Sequence, residues 1–238
     1  MKLIIFTSFI ICTLTVRFGV SQYNSNNNGY NITDLESDIK LMKNSLFKYK
    51  EKERKQLKII TKIENNNIFK FFRDRIEGYL EKSNESKRKK NDSSTDLCLT
   101  AFTRSWTGDV RREMKEMKTC ADKAINLTFH IPLEDINYIQ SVMGGNYSLN
   151  IEAVSKDCEH WTVGRSNGIT MEDCYAIKSP LFQMMSTSFL NLINNLKQLV
   201  TNCTLTTFKE IQNCASVTRN QLENHWSHIH LELDDCLL

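Results

Sequence analysis

Apolar side chains recur at alternating steps of four and three residues in the first part of the chain, a spacing that predicts an amphipathic helix. Seven of the nine positions in this seam are apolar, which is typical of coiled coils. The nine positions are Leu35, Ile39, Met42, Leu46, Tyr49, Glu53, Gln56, Ile60 and Ile63. We expect the triplet Asn65-Asn66-Asn67 to interrupt the pattern, so that residues 34–81 form an N-terminal amphipathic arm, as a helical hairpin or as one kinked helix.

A helical period also runs through the second part of the chain, where glycine and proline mark the expected helix ends. One face of the first predicted helix carries Leu99, Phe102, Trp106, Val110, Met114, Met117, Ala121 and Ala124. A short helix is expected to begin at Pro132 and to end at Gly144-Gly145, and Thr170 is expected to cap a later one. Ser179-Pro180 is expected to begin the next helix. With two prolines and eight glycines in all, the chain predicts an all-α fold, a disulfide-stapled helical bundle.

Four of the cysteines form two equal intervals, because 21 residues separate Cys98 from Cys120 and also Cys214 from Cys236. On a continuous helix 22 steps span roughly 33 Å, whereas the Cα atoms of a disulfide lie about 4.4 to 6.8 Å apart. If both segments are continuous helices, neither pair can close on itself. The equal spacing lets two antiparallel helices be joined at both ends, Cys98 to Cys236 and Cys120 to Cys214, within a stapled domain of residues 96–238.

Three further cysteines leave the pairing open. Cys158 and Cys174 flank a glycine-containing turn and can bridge an antiparallel helix pair, in which case Cys203 has no partner among these three. Alternatively, Cys203 bonds to Cys158 or to Cys174. The odd total of seven after residue 97 means that one thiol remains or joins another molecule. A dimer linked by a disulfide or by the coiled-coil seam is therefore among the expected assemblies.

The N-terminus has the pattern of a secretory signal peptide, with Lys2, a run of about 14 mostly apolar residues, and small residues at Gly19 and Ser21. We expect residues 1–21 to be removed and the protein to be extracellular, with no transmembrane segment. Residues 22–33 are rich in asparagine and predict disorder. Six Asn-x-Ser/Thr sequons then become candidate glycosylation sites: Asn31, Asn84, Asn91, Asn126, Asn146 and Asn202.

Charge divides unevenly along the chain. Residues 22–92 carry 17 Lys/Arg and 11 Asp/Glu, a net charge of +6, and residues 96–238 carry 12 and 17, a net charge of −5. A basic front half can meet an anionic partner, such as a membrane surface or a glycosaminoglycan, and less readily nucleic acid. The alternative, which charge alone favours, is a solvated charged helix or one that packs on the acidic half of the same protein. Residues 82–95 predict an exposed, glycosylated linker, and its basic run is a candidate processing site made of Lys87, Arg88, Lys89 and Lys90.

The cysteine arrangement resembles that of the tsetse EP-protein-like family of insect secreted proteins. The resemblance covers about residues 97–238 and rests on Cys98-x21-Cys120, Asp173-Cys174-Tyr175, Asn202-Cys203-Thr204 and the interval that closes at Cys236-Leu237. It implies a small helical protein of saliva, venom, gut fluid or haemolymph, with an immune or interaction role and no enzymatic activity. The chain departs from the family in lacking a second cysteine near Cys158 and a glutamate- and proline-rich tail.

The sequence offers little catalytic chemistry. His225 and His228 share a helical face and form a weak candidate metal pair, but there is no HExxH motif and no Gly-x-Ser-x-Gly elbow. We therefore predict a protein without a cofactor that binds an extracellular macromolecule of host or microbial origin. The alternative is a carrier of a small hydrophobic ligand, lined by Met114, Met117, Met184, Met185 and Phe189.

Overall fold

The computed structural model describes residues 32–90, 93–164, 168 and 170–237, and all of them except Gly168 and Thr170 are helical. Side chains at 82–84, 86–90, 93–96, 163–164, 230 and 232–237 are not included in this description. The helices are α1 (Ile32–Lys90), α2 (Ser93–Ile125), a π-helix (Asn126–His130), α3 (Ile131–Gly164) and α4 (Met171–Leu237). The predicted signal peptide, the asparagine-rich residues 22–31 and the sequons at Asn31 and Asn91 lie outside the described residues.

The helices form two compact units, each of which packs three helices together. Unit 1 contains residues 32–54 of α1 with His130–Thr204, so that α1, α3 and the first half of α4 meet. Unit 2 contains Lys55–Phe129 with the last part of α4. The predicted all-α bundle is confirmed. The predicted division into an arm at 34–81, a linker at 82–95 and a domain at 96–238 stays a prediction.

The buried side chains of α1 follow an eleven-residue repeat. Leu35, Leu46, Leu57 and Ile68 are all fully buried. An eleven-residue repeat corresponds to about 3.67 residues per turn, closer to a regular helix than the 3.5 of a heptad. The predicted heptad seam is therefore correct up to Glu53 and wrong beyond it, since Leu57 takes the buried position and Ile63 is exposed.

Two expected interruptions of the helices do not occur. Helix α1 continues through Asn65-Asn66-Asn67, because Ile68 and Phe72 beyond the triplet are buried and packing outweighs the weak helix propensity of asparagine. It also continues to Lys90, where lysine, arginine and glutamate favour helix. Helix α3 passes through Gly144-Gly145, where a Cβ on Gly144 would lie 2.7 Å from Nζ of Lys43. Gly144 thus makes room for a side chain of α1.

Helix α4 begins at the predicted cap and runs past the predicted restart. The Thr170 hydroxyl accepts a hydrogen bond from the backbone N–H of Asp173 at 3.1 Å, and the Asp173 carboxylate accepts one from the Thr170 N–H at 2.8 Å. This reciprocal pair is a capping box, and its backbone hydrogen bond lowers the pKa of Asp173. Pro180 lies inside the helix rather than at its start, on an exposed side where water can bond the carbonyl that the proline frees.

Two disulfides join helices within the units. Cys120 of α2 bonds Cys214 of α4 with Cα atoms 5.9 Å apart, and Cys158 of α3 bonds Cys174 of α4 at 5.7 Å. Both of these predicted bonds are confirmed. Cys203 is buried and belongs to neither pair. Cys98 is disulfide-bonded, and because the side chain of Cys236 lies outside the described residues, the bond between these two stays a prediction.

Replacing the Cys158–Cys174 pair by alanine should lower the free energy of unfolding by about 3 kcal/mol, the entropic value for a loop of its size. Replacing Cys120 and Cys214 should lower it more, by about 4.7 kcal/mol, because the closed loop is longer. Urea unfolding of both double variants measures the difference. A non-reducing peptide map is the control for connectivity, and a peptide joining Cys203 to Cys158 or Cys174 would contradict the structure.

Candidate binding surfaces

In unit 2, α1 carries a group of exposed cations interleaved with exposed apolar side chains. We call this surface the basic face, and it consists of Lys55, Lys58, Ile59, Lys62, Ile63 and Lys70. Ile59 and Ile63 are 57% and 49% exposed. Within the described residues none of these four lysines forms an ion pair, whereas Arg73 pairs with Asp74 and Glu77. The basic face therefore presents uncompensated positive charge next to apolar surface.

The position of the basic face follows from the helix period. Leu57 and Thr61 point into unit 2, and a helix turns about 100° per residue, so Lys55 and Lys62 point away from the core. The sequence predicts a basic front half of the chain but not which lysines lack partners. That information depends on where the acidic side chains of the neighbouring turns lie, which the linear charge count does not contain.

On the buried side of α1, aromatic rings from three helices pack together in unit 2. Trp106 of α2 and Trp226 of α4 have ring centroids 5.1 Å apart in an edge-on arrangement, and Phe72 of α1 lies 5.7 Å from Trp106. Arg75 lies over the rings of both Phe71 and Trp226, at 5.4 and 5.6 Å, and pairs with Glu223 at 3.6 Å. Such a cluster fixes the helix that carries the basic face.

The candidate metal pair lies beside this cluster. His225 is partly buried and His228 is exposed, both on α4. Among the described residues no three His, Cys, Asp or Glu side chains come together in a way that would hold a metal ion. The side chains of His230 and Glu232 lie outside the described residues. Two histidines alone do not complete the four-ligand shell of a structural zinc site.

Unit 1 contains an open cleft of about 620 Å³ between α1, α3 and the start of α4. Its floor includes the buried side chains of Ile39 and Ile151, and its rim includes Lys40, Lys43 and Tyr175. The volume is within the range of small-molecule sites. None of the five residues proposed from the sequence as a carrier lining borders it, since Met185 and Phe189 are buried in unit 1, Met184 is exposed, and Met114 and Met117 belong to unit 2.

A buried amine is the functional group that the sequence did not reveal. Lys50 is 8% exposed and donates hydrogen bonds to the side-chain oxygens of Asn137 and Gln140 on α3. Burial lowers the pKa of Lys50 below the ordinary lysine value. The signal was present in the eleven-residue repeat, because Lys50 occupies the position that Ile39 and Phe72 hold in other repeats.

The candidate glycosylation and processing sites differ in how the structure presents them. Asn126 and Asn146 are exposed, and Asn202 is partly buried. The side chains of Asn84, Lys87, Arg88, Lys89 and Lys90 lie outside the described residues. In the described part of the chain no helix combines the length and the apolar character that crossing a membrane requires.

No family model, no curated protein and no solved structure matches this chain. The resemblance to the tsetse EP-protein-like family therefore stays a prediction.

Replacing Lys50 with methionine should stabilise the protein at neutral pH, because it removes a buried cation bonded only to uncharged amides. The pKa of Lys50 is lower in the folded chain than in the unfolded chain. The buried charged amine therefore reduces the free energy of unfolding most at pH values below the folded pKa. The gain should shrink as the pH rises toward the ordinary value of about 10.5. Unfolding in urea at several pH values measures it, and a gain that grows with pH would contradict this account.

Proposed function

We propose that this protein is a secreted glycoprotein that acts without catalysis, by binding an anionic surface through the basic face of α1. The observation that carries this proposal is the set of exposed lysines without ion-pair partners in the described residues, Lys55, Lys58 and Lys62, next to exposed isoleucines. Unpaired cations retain their full attraction for an anionic partner. The net positive charge of residues 22–92, which contain the basic face, also supports an anionic partner.

The interleaved apolar side chains favour a lipid surface over a purely charged polymer. Lysines attract anionic headgroups, and isoleucines at the same helical level enter the boundary between headgroups and acyl chains. A sulfated polysaccharide offers no apolar layer to Ile59 and Ile63. We therefore propose an anionic membrane of host or microbial origin as the partner, with sulfated polysaccharide as the competing outcome.

Secretion and glycosylation form the second part of the proposal. The N-terminal pattern of residues 1–21, the sequons and the use of disulfides support an extracellular protein. The resemblance to insect secreted proteins supports a secretion such as saliva, venom, gut fluid or haemolymph, and a role in immunity. Detection of the mature protein in culture medium, beginning near Gln22, tests this part separately from the binding.

Reversing the charge of the basic face with K55E/K58E/K62E should reduce binding to vesicles containing anionic lipid by about a hundredfold or more, since three lysines near the surface contribute roughly 1 kcal/mol each. Binding of the wild type should also weaken as salt is added, because the ions screen exposed charges. Sedimentation of protein with vesicles measures both effects.

A matched control has the same charge change elsewhere in unit 2. The variant K115E/K118E/K123E alters three exposed lysines of α2 and should bind nearly as well as the wild type. Equal losses in the two triple variants would show that net charge and not the basic face determines binding. The double variant I59S/I63S separates the partners, because it should weaken binding to vesicles and leave heparin binding unchanged.

A second function is favoured by the cleft of unit 1, namely transport of a small hydrophobic anion such as a fatty acid. The apolar floor at Ile39 and Ile151 suits an alkyl chain, and Lys40 and Lys43 on the rim suit its carboxylate. The lining also contains two acids, Glu36 and Glu152, of which Glu152 pairs with Lys156 at 2.8 Å, so that Lys40 and Lys43 outnumber the remaining acid.

A carrier should bind a fluorescent fatty acid, and K40E/K43E should weaken that binding by about tenfold through loss of two attractive charges. The control variant K48E/K52E changes two lysines on the same helix that do not border the cleft. Fluorescence titration of the three proteins decides the question. Absence of probe binding to the wild type would exclude the carrier function and leave the membrane proposal standing.

A further inference from the structure

Helix α3 carries a group of apolar side chains that are exposed in unit 1. We call it the α3 face, and it consists of Ile139, Val142 and Leu149, which are 40%, 43% and 65% exposed. The three side chains lie on one side of the helix, because residues separated by three, four or seven positions share a face. Gly145 lies between them, and a Cβ added there would meet no atom within 4 Å. The face is therefore open to solvent in this chain.

A sequon lies in the middle of this apolar surface. Asn146 is exposed and is followed by Tyr147 and Ser148. Val142 is four positions before Asn146, Leu149 is three positions after it and Ile139 is seven before it, so all three side chains surround the asparagine. A carbohydrate attached to Asn146 has to project over them.

We propose that an N-linked glycan at Asn146 covers the α3 face and keeps this protein from associating through it. The first sugars of such a glycan carry acetyl methyl groups and apolar ring faces, which can lie on isoleucine, valine and leucine, while the outer hydroxyls stay in water. This role rests on the proposed secretion of the protein, since the modification requires the secretory pathway. It is independent of the proposed partner of α1.

The other described sequons do not have this environment. Asn126 is exposed, but the residue three positions after it, Phe129, is buried in the core. Asn202 is partly buried, whereas Asn146 is exposed. Asn146 is thus the sequon in the described residues whose helical neighbours are exposed apolar side chains on both sides.

A second copy of the chain is the competing occupant of the α3 face. Tyr138, Val142, Gly145 and Leu149 follow steps of four, three and four, which suits a helix–helix seam. The sequon favours the glycan, because Asn146 borders this seam and a carbohydrate there would keep another helix away. Pairing through the face and glycosylation at Asn146 therefore exclude each other, and the experiment has to distinguish them.

The test uses the full chain secreted from a eukaryotic cell line. Peptide mass mapping should find Asn146 occupied. Two variants, Asn146→Gln and Ser148→Ala, remove the sequon at different residues, and Ser148→Thr keeps it. Because an uncovered apolar patch binds dye, fluorescence of an anilinonaphthalene sulfonate probe should rise by about twofold or more in the first two variants and stay at the wild-type level in the third. The Asn126→Gln variant is the control for loss of carbohydrate elsewhere.

A further variant tests whether the dye binds at the α3 face. Adding V142S/L149Q to Asn146→Gln should return the dye signal to that of the wild type, with helix content by circular dichroism unchanged. The inference is overturned if Asn146 is unmodified while Asn126 is modified, if dye binding rises equally in Asn126→Gln, or if the wild type is a dimer that V142S/L149Q dissociates. Secretion without carbohydrate at any sequon would overturn the glycoprotein part of the proposed function as well.

Discussion

The structure depends on keeping an apolar stripe on one side of very long helices. Helix α1 has 59 residues and α4 has 67. In both helices the fully buried side chains recur every eleven residues. The positions are Leu35, Leu46, Leu57 and Ile68 in α1, and Phe189, Val200, Ile211 and Leu222 in α4. At about 3.67 residues per turn this stripe stays nearly parallel to the axis of a regular helix, so each helix keeps the same side toward its neighbours within a unit without the left-handed winding that a heptad requires.

This constraint also explains the polar groups in the interior. A polar residue at a buried position of the repeat is buried together with its apolar neighbours, as Lys50, Thr61 and Thr207 are. Thr61 satisfies its hydroxyl within its own helix, since it donates to the Leu57 carbonyl at 3.0 Å, whereas the hydroxyl of Thr207 lies 2.6 Å from that of Thr128 on the π-helix. Lysine has no local acceptor of this kind, so Lys50 reaches amide oxygens of α3. Burial is decided by the position in the repeat before the chemistry of the side chain is considered.

The same reasoning shows which features the sequence predicts well. Covalent and short-range geometry can be predicted, because the equal cysteine intervals limit Cys120 to a distant partner and because Thr170 and Asp173 have the spacing of a capping box. Helix ends inferred from single residues cannot be predicted in this way. Gly144 and Pro180 are locally unfavourable in a helix, but the buried side chains on either side of each add far more than the roughly 1 to 3 kcal/mol that they cost.

The binding surfaces could be predicted only in part for a related reason. The repeat determines which side chains are buried, and everything else becomes surface, including isoleucine and leucine that fall off the stripe. Ile59 and Ile63 lie among lysines that form no ion pair in the described residues, whereas Val142 and Leu149 lie beside the sequon at Asn146, where we propose a neutral, bulky carbohydrate. In these proposals the exposed apolar residues next to cations bind an anionic membrane, and those next to the glycan are covered by it. The neighbours of an exposed apolar residue, more than its own exposure, therefore decide whether it serves binding or has to be covered.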